Sequence, residues 1–260
     1  MNNSIQFLGT SDGLPSADRH HASLLVKVGG QTLLFDCGEP CSHTLKRMGI
    51  DFDSIDAIFI SHTHSDHVGG LPLLLQAFWL ERRKHSLPVW LPRQAIAPLR
   101  QWLHACYLYE PMLGFMLQWK PITKGKPVRC GNARISAYRT SHLDAARSHF
   151  AKTHPEIGFD AFCFLIEAGG KWVGYSGDIG RPQDLSPLVA KPLDLLVVEL
   201  AHCSPDAMFE FLRSRPVKRV AFTHLGRSMR ARLPALRRLA TRLLQPAKVT
   251  FPVDGDIIRF

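Results

Sequence analysis

Short apolar runs separated by polar or glycine-containing turns recur along the whole chain, and most of them have the length of a β-strand. Residues 23–28 and 31–36 flank Gly29-Gly30. This arrangement predicts a β-hairpin, because adjacent glycines permit the tight turn between antiparallel strands. Residues 162–175 repeat the arrangement around a second Gly-Gly pair. The sequence therefore predicts one hairpin in each half of the chain.

Further apolar runs predict buried strands, and segments with helical spacing lie between them. These strands are predicted at residues 4–8, 55–60, 89–91, 134–138, 193–199, 219–223, 249–251 and 257–260. Helices are predicted at residues 44–48, 69–84, 95–105, 205–214 and 234–245. Interleaved strands and helices favour two packed sheets with helices outside them, so we expect an α/β fold in a single domain spanning residues 1–260.

The chain carries an excess of positive charge. It has 32 Lys and Arg residues against 22 Asp and Glu residues, for a formal net charge of +10. A positive field favours anionic partners such as phosphoesters or nucleic acid, but it bears on association and not on fold. Solubility alone explains a basic composition equally well, so charge by itself does not decide the substrate class.

The cysteines and the apolar segments bear on location. Cys37 and Cys41 have no second cysteine pair with which to complete a structural zinc site. Residues 1–9 lack the basic and long apolar segments of a signal peptide, and residues 71–80 are too few to span a bilayer. We therefore expect a cytoplasmic protein with reduced cysteines and no membrane partner.

Histidines and aspartates follow four of the predicted strands where each strand ends. They are His62, His64, Asp66 and His67 after one strand, and His142, Asp178 and His224 after three others. Strand ends on one side of a sheet lie close in space, and imidazole together with carboxylate suits zinc, manganese or iron. A carboxylate such as Asp178 can also bridge two ions. The pattern predicts a site for two divalent metal ions, most simply zinc.

A histidine with no ligand function is the usual case, and it is the better explanation for seven of the 13 histidines. The cluster from His62 to His67 is different. Four ionisable groups within six residues, directly after a buried strand, would be costly to bury without an ion. The support for His142, Asp178 and His224 depends on that cluster.

Residues 61–70, with the sequence SHTHSDHVGG, resemble the signature of the metallo-β-lactamase superfamily. Residues 140–142, 176–178 and 222–225 resemble its later ligand motifs, in the right order. The opening, residues 7–16, is similar to that of ribonuclease Z and related phosphodiesterases. The resemblance implies a four-layer αββα sandwich and a metal-dependent hydrolase, with an anionic phosphoester as its substrate.

The resemblance also implies roles for individual residues. His62, His64 and His142 would hold one zinc ion, Asp66, His67 and His224 the other, and Asp178 would bridge them. Ribonuclease Z uses a Glu–His pair near its metals, for which Glu199 and His202 are the candidates; a helix-capping role for His202 is the alternative. His202 would protonate the leaving oxygen, and Asp66 would orient the attacking water or accept its proton.

Ribonuclease Z carries a long arm that grips tRNA between its third and fourth ligand motifs. His142 and Asp178 are too close in this sequence to leave room for that arm beside the second hairpin. The expected substrate is therefore a small cyclic or nucleotide phosphodiester, or else an RNA 3′ end. A hydrolase of carboxylic esters, thioesters or lactones is the alternative. A non-catalytic nucleic-acid-binding module fits a complete ligand set poorly. Relatives often dimerise, so a homodimer is also possible.

Two further regions carry weaker predictions. Arg227 and Arg230 follow His224 and are candidates for contact with the substrate phosphate, although a solvated basic loop explains them equally well. Residues 102–119 are rich in aromatic side chains, which would suit a substrate pocket or a dimer interface. Core packing is the simpler interpretation of that stretch.

Overall fold

The computed structural model describes residues 3–260, so Met1 and Asn2 of the predicted domain lie outside the described residues. The strands are β1 (Ser4–Gly9), β2 (Ser23–Val28), β3 (Gln31–Phe35), β4 (Ala57–Phe59), β5 (Leu87–Leu91), β6 (Leu117–Pro121), β7 (Val128–Cys130), β8 (Ala133–Arg139), β9 (Phe162–Ala168), β10 (Lys171–Tyr175), β11 (Leu195–Glu199), β12 (Arg219–Thr223), β13 (Lys248–Thr250) and β14 (Ile257–Arg259).

The helices lie between these strands. They are α1 (Cys41–Arg47), α2 (Ser65–Val68), α3 (Leu71–Leu80), α4 (Ile96–Ala105), α5 (Asp144–Phe150), α6 (Pro205–Leu212), α7 (Arg227–Arg230) and α8 (Leu233–Leu243). Single turns of 3₁₀-helix lie at Phe52–Ser54, Arg93–Ala95, Glu110–Met112 and Pro182–Leu185. Among residues 3–260, no helix combines the length and the apolar character that a bilayer crossing requires.

The strands form two mixed sheets. Within the described chain, the first has the order β14-β1-β2-β3-β4-β5-β6 and the second the order β13-β12-β11-β10-β9-β8-β7. Both predicted hairpins are present: β2 pairs antiparallel with β3, and β9 with β10. Parallel pairs connect β3 to β4 and β10 to β11. Each sheet therefore begins as an antiparallel meander, β1-β2-β3 in the first and β7-β8-β9-β10 in the second, and continues through parallel pairs joined by crossover connections.

Alternating side chains on each strand build the layers. On β3, Leu33 and Phe35 point into the core between the two sheets, while Leu34 points to the opposite face and packs with helices α1, α3 and α4. On β9, Phe164 faces the inter-sheet core and Leu165 packs with α6 and α8. Three apolar layers thus separate four layers of secondary structure, and the predicted αββα sandwich is confirmed.

Some elements differ from the predictions. The helix predicted over residues 69–84 is α3, which ends at Leu80. Strand β6 and helix α5 were not predicted. The residues of β6 are all half-buried, and α5 buries none of its residues, so neither segment has the apolar stripe that reveals an element in the sequence. Within residues 3–260 all six cysteines are unpaired, as expected.

Candidate metal centre

The predicted ligands lie in loops that follow four strands. His62, His64, Asp66 and His67 come from the loop and short helix α2 after β4 of the first sheet. The loops after β8, β10 and β12 of the second sheet carry His142, Asp178 and His224. The two sheets therefore deliver their ligands to one edge of the sandwich, as the strand-end pattern predicted.

A first group of candidate ligands consists of His62, His64, His142 and Asp178, with one ligand atom of each within 4.8 Å of the others. The Nδ1 atom of His64 lies 3.0 Å from His62 Nε2 and 3.1 Å from His142 Nε2. The Nε2 atoms of His62 and His142 are each 3.7 Å from Asp178 Oδ2. Three imidazoles and one carboxylate at this spacing match the coordination of a transition-metal ion.

A second group consists of Asp66, His67, His224 and the same Asp178, again within 4.8 Å. His67 Nε2 lies 3.2 Å from Asp178 Oδ1, and His224 Nε2 lies 3.5 Å from Asp178 Oδ2. Asp66 Oδ2 is 3.5 Å from His67 Nε2. Asp178 therefore lies between the two groups, and its two oxygens face ligands of both, which is the arrangement of a bridging carboxylate.

Buried atoms without partners test whether these residues fit cations. Among residues 3–260, His67 Nε2 and Asp178 Oδ1 are buried and, although they lie 3.2 Å apart, neither atom makes a hydrogen bond of acceptable geometry. Unpaired buried polar atoms are rare in native proteins and require an explanation. A cation bound between these atoms would supply one, so the donor set fits two divalent ions.

The electrostatics of the site follow from burial and mutual proximity. Burial lowers the pKa of His62 well below its usual value, and burial lowers that of His142 to about 4. Both imidazoles are therefore neutral at pH 7, the form that coordinates a metal. Burial also opposes charge on His67, but Asp178 and Asp36 outweigh it and raise the pKa of that imidazole. Burial by itself would raise the pKa of Asp178. The surrounding histidines, His224 most strongly, lower this pKa by more than burial raises it, so the carboxylate is ionised.

Asp36 belongs to neither ligand group, but it orients His67 of the second group through a hydrogen bond. Its Oδ2 accepts hydrogen bonds from His67 Nδ1 at 2.8 Å, Ser61 Oγ at 2.9 Å and the Tyr175 hydroxyl at 2.6 Å. The bond from Nδ1 leaves Nε2 of His67 to face Asp178. Asp36 and His224 both have positive φ angles, 57° and 56°. Such backbone strain is retained where the surroundings compensate for it, commonly at functional sites.

The predicted Glu–His pair is formed beside the metal groups. His202 Nδ1 lies 3.1 Å from Glu199 Oε1, and Glu199 Oε2 accepts a hydrogen bond from the His202 amide. Burial lowers the pKa of His202, but the Glu199 carboxylate outweighs it, and the net shift is upward. His202 does not cap helix α6, whose first turn is capped by Ser204 Oγ. A half-exposed imidazole close to Asp178 is placed to exchange protons with a bound molecule.

A cavity of about 510 Å³ opens beside His64. Helix α4 contributes Leu99 and Trp102 to its wall, and Ile157 and Phe159 also line it. The simpler interpretation of residues 102–119 as core holds for Leu103, Leu108, Leu113 and Phe115, which are buried, whereas Trp102 lines the cavity. Residues 157–160 carry no metal-ligand pattern, and no signal in the sequence indicated their role.

The two arginines predicted to contact phosphate have different surroundings. Arg227 is exposed. Arg230 Nη1 donates hydrogen bonds to Ser16 Oγ and Asp18 Oδ1, both at 2.8 Å, and so holds the N-terminal loop against helix α7. Contact of either arginine with a substrate stays a prediction.

The family model described as "Anti-Pycsar protein Apyc1" matches residues 3–197, well over half of the chain. The chain belongs to the Apyc1 family. Ribonuclease Z of Methanothermobacter thermautotrophicus is 31% identical to this chain over an alignment of 298 residues. The alignment covers 96% of this chain and 92% of the relative. That alignment is longer than the 260 residues of this chain, so the relative has residues with no counterpart here.

Solved structures show the same fold. YhfI of Bacillus subtilis, described as a metallo-β-lactamase fold protein, has a TM-score of 0.78 at 19% identity and covers 100% of this chain and 99% of its own. The short form of human tRNase Z has a TM-score of 0.73 at 20% identity, with 98% of each chain covered. The predicted resemblance to ribonuclease Z in the metallo-β-lactamase fold is confirmed. This Apyc1-family protein is a metal-dependent hydrolase of phosphodiesters, whether nucleic acid or smaller.

Proposed function

We propose that this protein hydrolyses a nucleotide-sized phosphodiester, cyclic or linear, and that the cavity beside His64 holds the organic part of the substrate. The proposed cofactors are two divalent cations, most simply zinc. Their proposed ligands are His62, His64, His142, Asp66, His67 and His224, with Asp178 between the two ions. The observation that carries the proposal is the cavity, because it adjoins the ligands and has a limited size.

The volume of about 510 Å³ lies within the range of pockets that enclose small molecules, roughly 300–1,000 Å³. Its walls are mainly apolar, with Leu99, Trp102, Ile157 and Phe159 among them. An aromatic base could stack or pack against such walls while the phosphodiester stays at the metal ligands. His64 belongs both to the cavity wall and to the first ligand group, which joins the two parts of the proposed site.

The metal ions, Asp66 and His202 have separate roles in the proposed reaction. Two bound cations would supply positive charge that neutralises the phosphate oxygens and favours hydroxide near neutral pH. Asp66, buried beside His67 and His224, would accept a proton from the attacking water. His202, whose pKa is raised by the hydrogen bond to Glu199 in spite of burial, would donate a proton to the leaving oxygen.

Cleavage at an RNA 3′ end is a second candidate. The ribonuclease Z relatives and the net charge of +10 favour it. Against it stands the segment between His142 and Asp178, where ribonuclease Z is expected to carry its arm. Here helix α5 and residues 157–160 occupy that segment, and they line the cavity. This placement favours a segment that encloses a small site over one that extends a binding surface.

A substrate panel tests the proposal. The zinc-loaded protein is assayed with 3′,5′-cyclic nucleotides, a dinucleotide, bis-p-nitrophenyl phosphate, a precursor tRNA, a thioester and a lactone. We expect turnover of the nucleotides and of the p-nitrophenyl ester. Cleavage of the precursor tRNA with inert cyclic nucleotides would favour the second candidate. Activity confined to the thioester or lactone would refute phosphodiester hydrolysis altogether.

A cavity variant tests where the base binds. Trp102→Ala removes an aromatic side chain from the cavity wall. KM for a nucleotide should therefore rise about tenfold, which corresponds to the loss of slightly more than about 1 kcal/mol of stacking energy. KM for methyl p-nitrophenyl phosphate, which has no base, should stay within about twofold. Trp172→Ala, on the outer face of the second sheet, is the matched control. Equal changes for both substrates would contradict this placement.

A further inference from the structure

The loop that carries His142 packs directly against the loop that carries Asp178. A Cβ atom at Gly180 would lie 2.5 Å from Ser141 Oγ and 2.7 Å from the Ser141 carbonyl oxygen, so only glycine allows this approach. Thr140 Oγ1 donates a hydrogen bond to the Asp178 carbonyl oxygen at 2.8 Å. The two loops are therefore in contact directly beside both His142 and Asp178.

One carboxylate closes this junction. Asp184, in the 3₁₀ turn Pro182–Leu185, accepts three hydrogen bonds at its Oδ2 atom. The donors are the Ser141 amide at 2.9 Å, Ser141 Oγ at 2.8 Å and the Gly180 amide at 3.0 Å. The Asp184 side chain is 7% exposed. Ser141 immediately precedes His142, and Gly180 follows Asp178 by two positions, so a single oxygen atom connects both ligand loops.

We infer that Asp184 is a positioning residue that sets the separation of His142 and Asp178 and thereby the affinity for the cation of the first group. The inference rests on the proposed metal ligands. It does not depend on which phosphodiester is the substrate.

The effect of Asp184 should be unequal between the two ions. His142 belongs only to the first group, whereas the second group shares Asp178 but draws its other ligands from the loops after β4 and β12. Thr140 would still anchor the Asp178 backbone if Asp184 were lost. The His142 loop would lose two of its bonds to the neighbouring loop. Removing a group that orients a metal ligand typically lowers metal affinity roughly 10–100-fold.

The test is a zinc titration of the folded protein against a chromophoric chelator, which measures both dissociation constants without any turnover. Asp184→Ala should weaken one ion roughly 10–100-fold and leave the other within about threefold of wild type. Asp184→Asn should bind both ions nearly as the wild type does, because its amide oxygen can still accept from all three donors. Ser141→Ala, which removes only the hydroxyl bond, should weaken the same ion about fivefold. The Ser141→Ala variant can therefore decide the test even if Asp184→Ala does not fold.

Asp194→Ala is the matched control. Asp194 is also largely buried and accepts from a backbone amide, that of Trp172 at 3.0 Å, but it precedes β11 at the end opposite Glu199. This variant should lose stability and keep both zinc affinities. Unchanged affinities in Asp184→Ala or in Ser141→Ala would overturn the inference. So would an equal loss in Asp184→Asn and Asp184→Ala, or weakened binding of that ion in the control. Failure of the substrate panel would leave these outcomes untouched.

Discussion

Replacement of His202 by alanine is the most direct test of the catalytic roles proposed for this site. His202 is the proposed proton donor to the leaving oxygen, and its Nδ1 atom lies 3.1 Å from Glu199 Oε1. The hydrogen bond to Glu199 outweighs the effect of burial and raises the pKa of the imidazole, so more of it is protonated near neutral pH than in an isolated histidine. His202→Ala removes that proton donor and keeps the Glu199 carboxylate, which still accepts hydrogen bonds from two backbone amides.

The size of the loss should depend on the leaving group. General acid catalysis contributes roughly 10²–10⁴-fold, or about 3–5 kcal/mol of transition-state stabilisation. A ribose alkoxide is a poor leaving group and needs the proton, so kcat for a cyclic nucleotide should fall by about that factor. p-Nitrophenolate leaves without protonation. For bis-p-nitrophenyl phosphate, kcat should therefore fall less than about tenfold.

The assay compares kcat on both substrates and the zinc content of each protein. His104→Ala is the matched control, because His104 is also paired with a carboxylate at 3.1 Å, that of Glu110, but lies on helix α4 outside the metal centre. Equal losses on both substrates would refute proton donation by His202. Asp178, Glu199 and His202 also form a group that could hold a metal. Loss of one zinc ion in His202→Ala would accordingly assign His202 as a ligand instead.

Two further predictions concern the carboxylates behind the site. Tyr175→Phe removes the 2.6 Å hydrogen bond to buried Asp36 while keeping the ring, so the free energy of unfolding should fall by about 1.5–3 kcal/mol. Guanidinium denaturation at constant zinc concentration measures this, and an unchanged value would mean that the other donors to Asp36 suffice. Glu199→Gln removes the charge that raises the pKa of His202, so the imidazolium should be lost at lower pH. The alkaline limb of the kcat/KM profile should therefore move to lower pH, and a shift to higher pH would contradict the role assigned to Glu199.

Local patterns in the sequence were sufficient for much of the architecture. The glycine pairs and flanking apolar runs predicted both hairpins, and strand β12 begins and ends at the predicted residues. The candidate ligands were recognisable because four polar, ionisable residues between 62 and 67 directly follow a buried strand. The near-continuous apolar runs of β3 and β9 fit strands that are buried on both faces, since both faces of a sandwich's central strands are covered.

Other features had no local signal. Helix α5 buries no side chain and so shows no periodicity. Trp102 and Phe159 face the same cavity from segments far apart in the sequence, and their types are equally typical of a core. Tyr175 reaches Asp36 across the inter-sheet core, a contact that neither strand's pattern predicts.

By itself, the sequence determined most of the strands, both hairpins and which side chains have the chemistry to bind metal ions. Periodicity is local, so a few neighbouring residues suffice to express it. Only the tertiary structure decided that Asp178 lies between two ligand groups, that α4 and residues 157–160 enclose a cavity, and that Asp184 joins two ligand loops. These features depend on how two sheets and their loops are placed relative to one another, which is set by packing across the whole core.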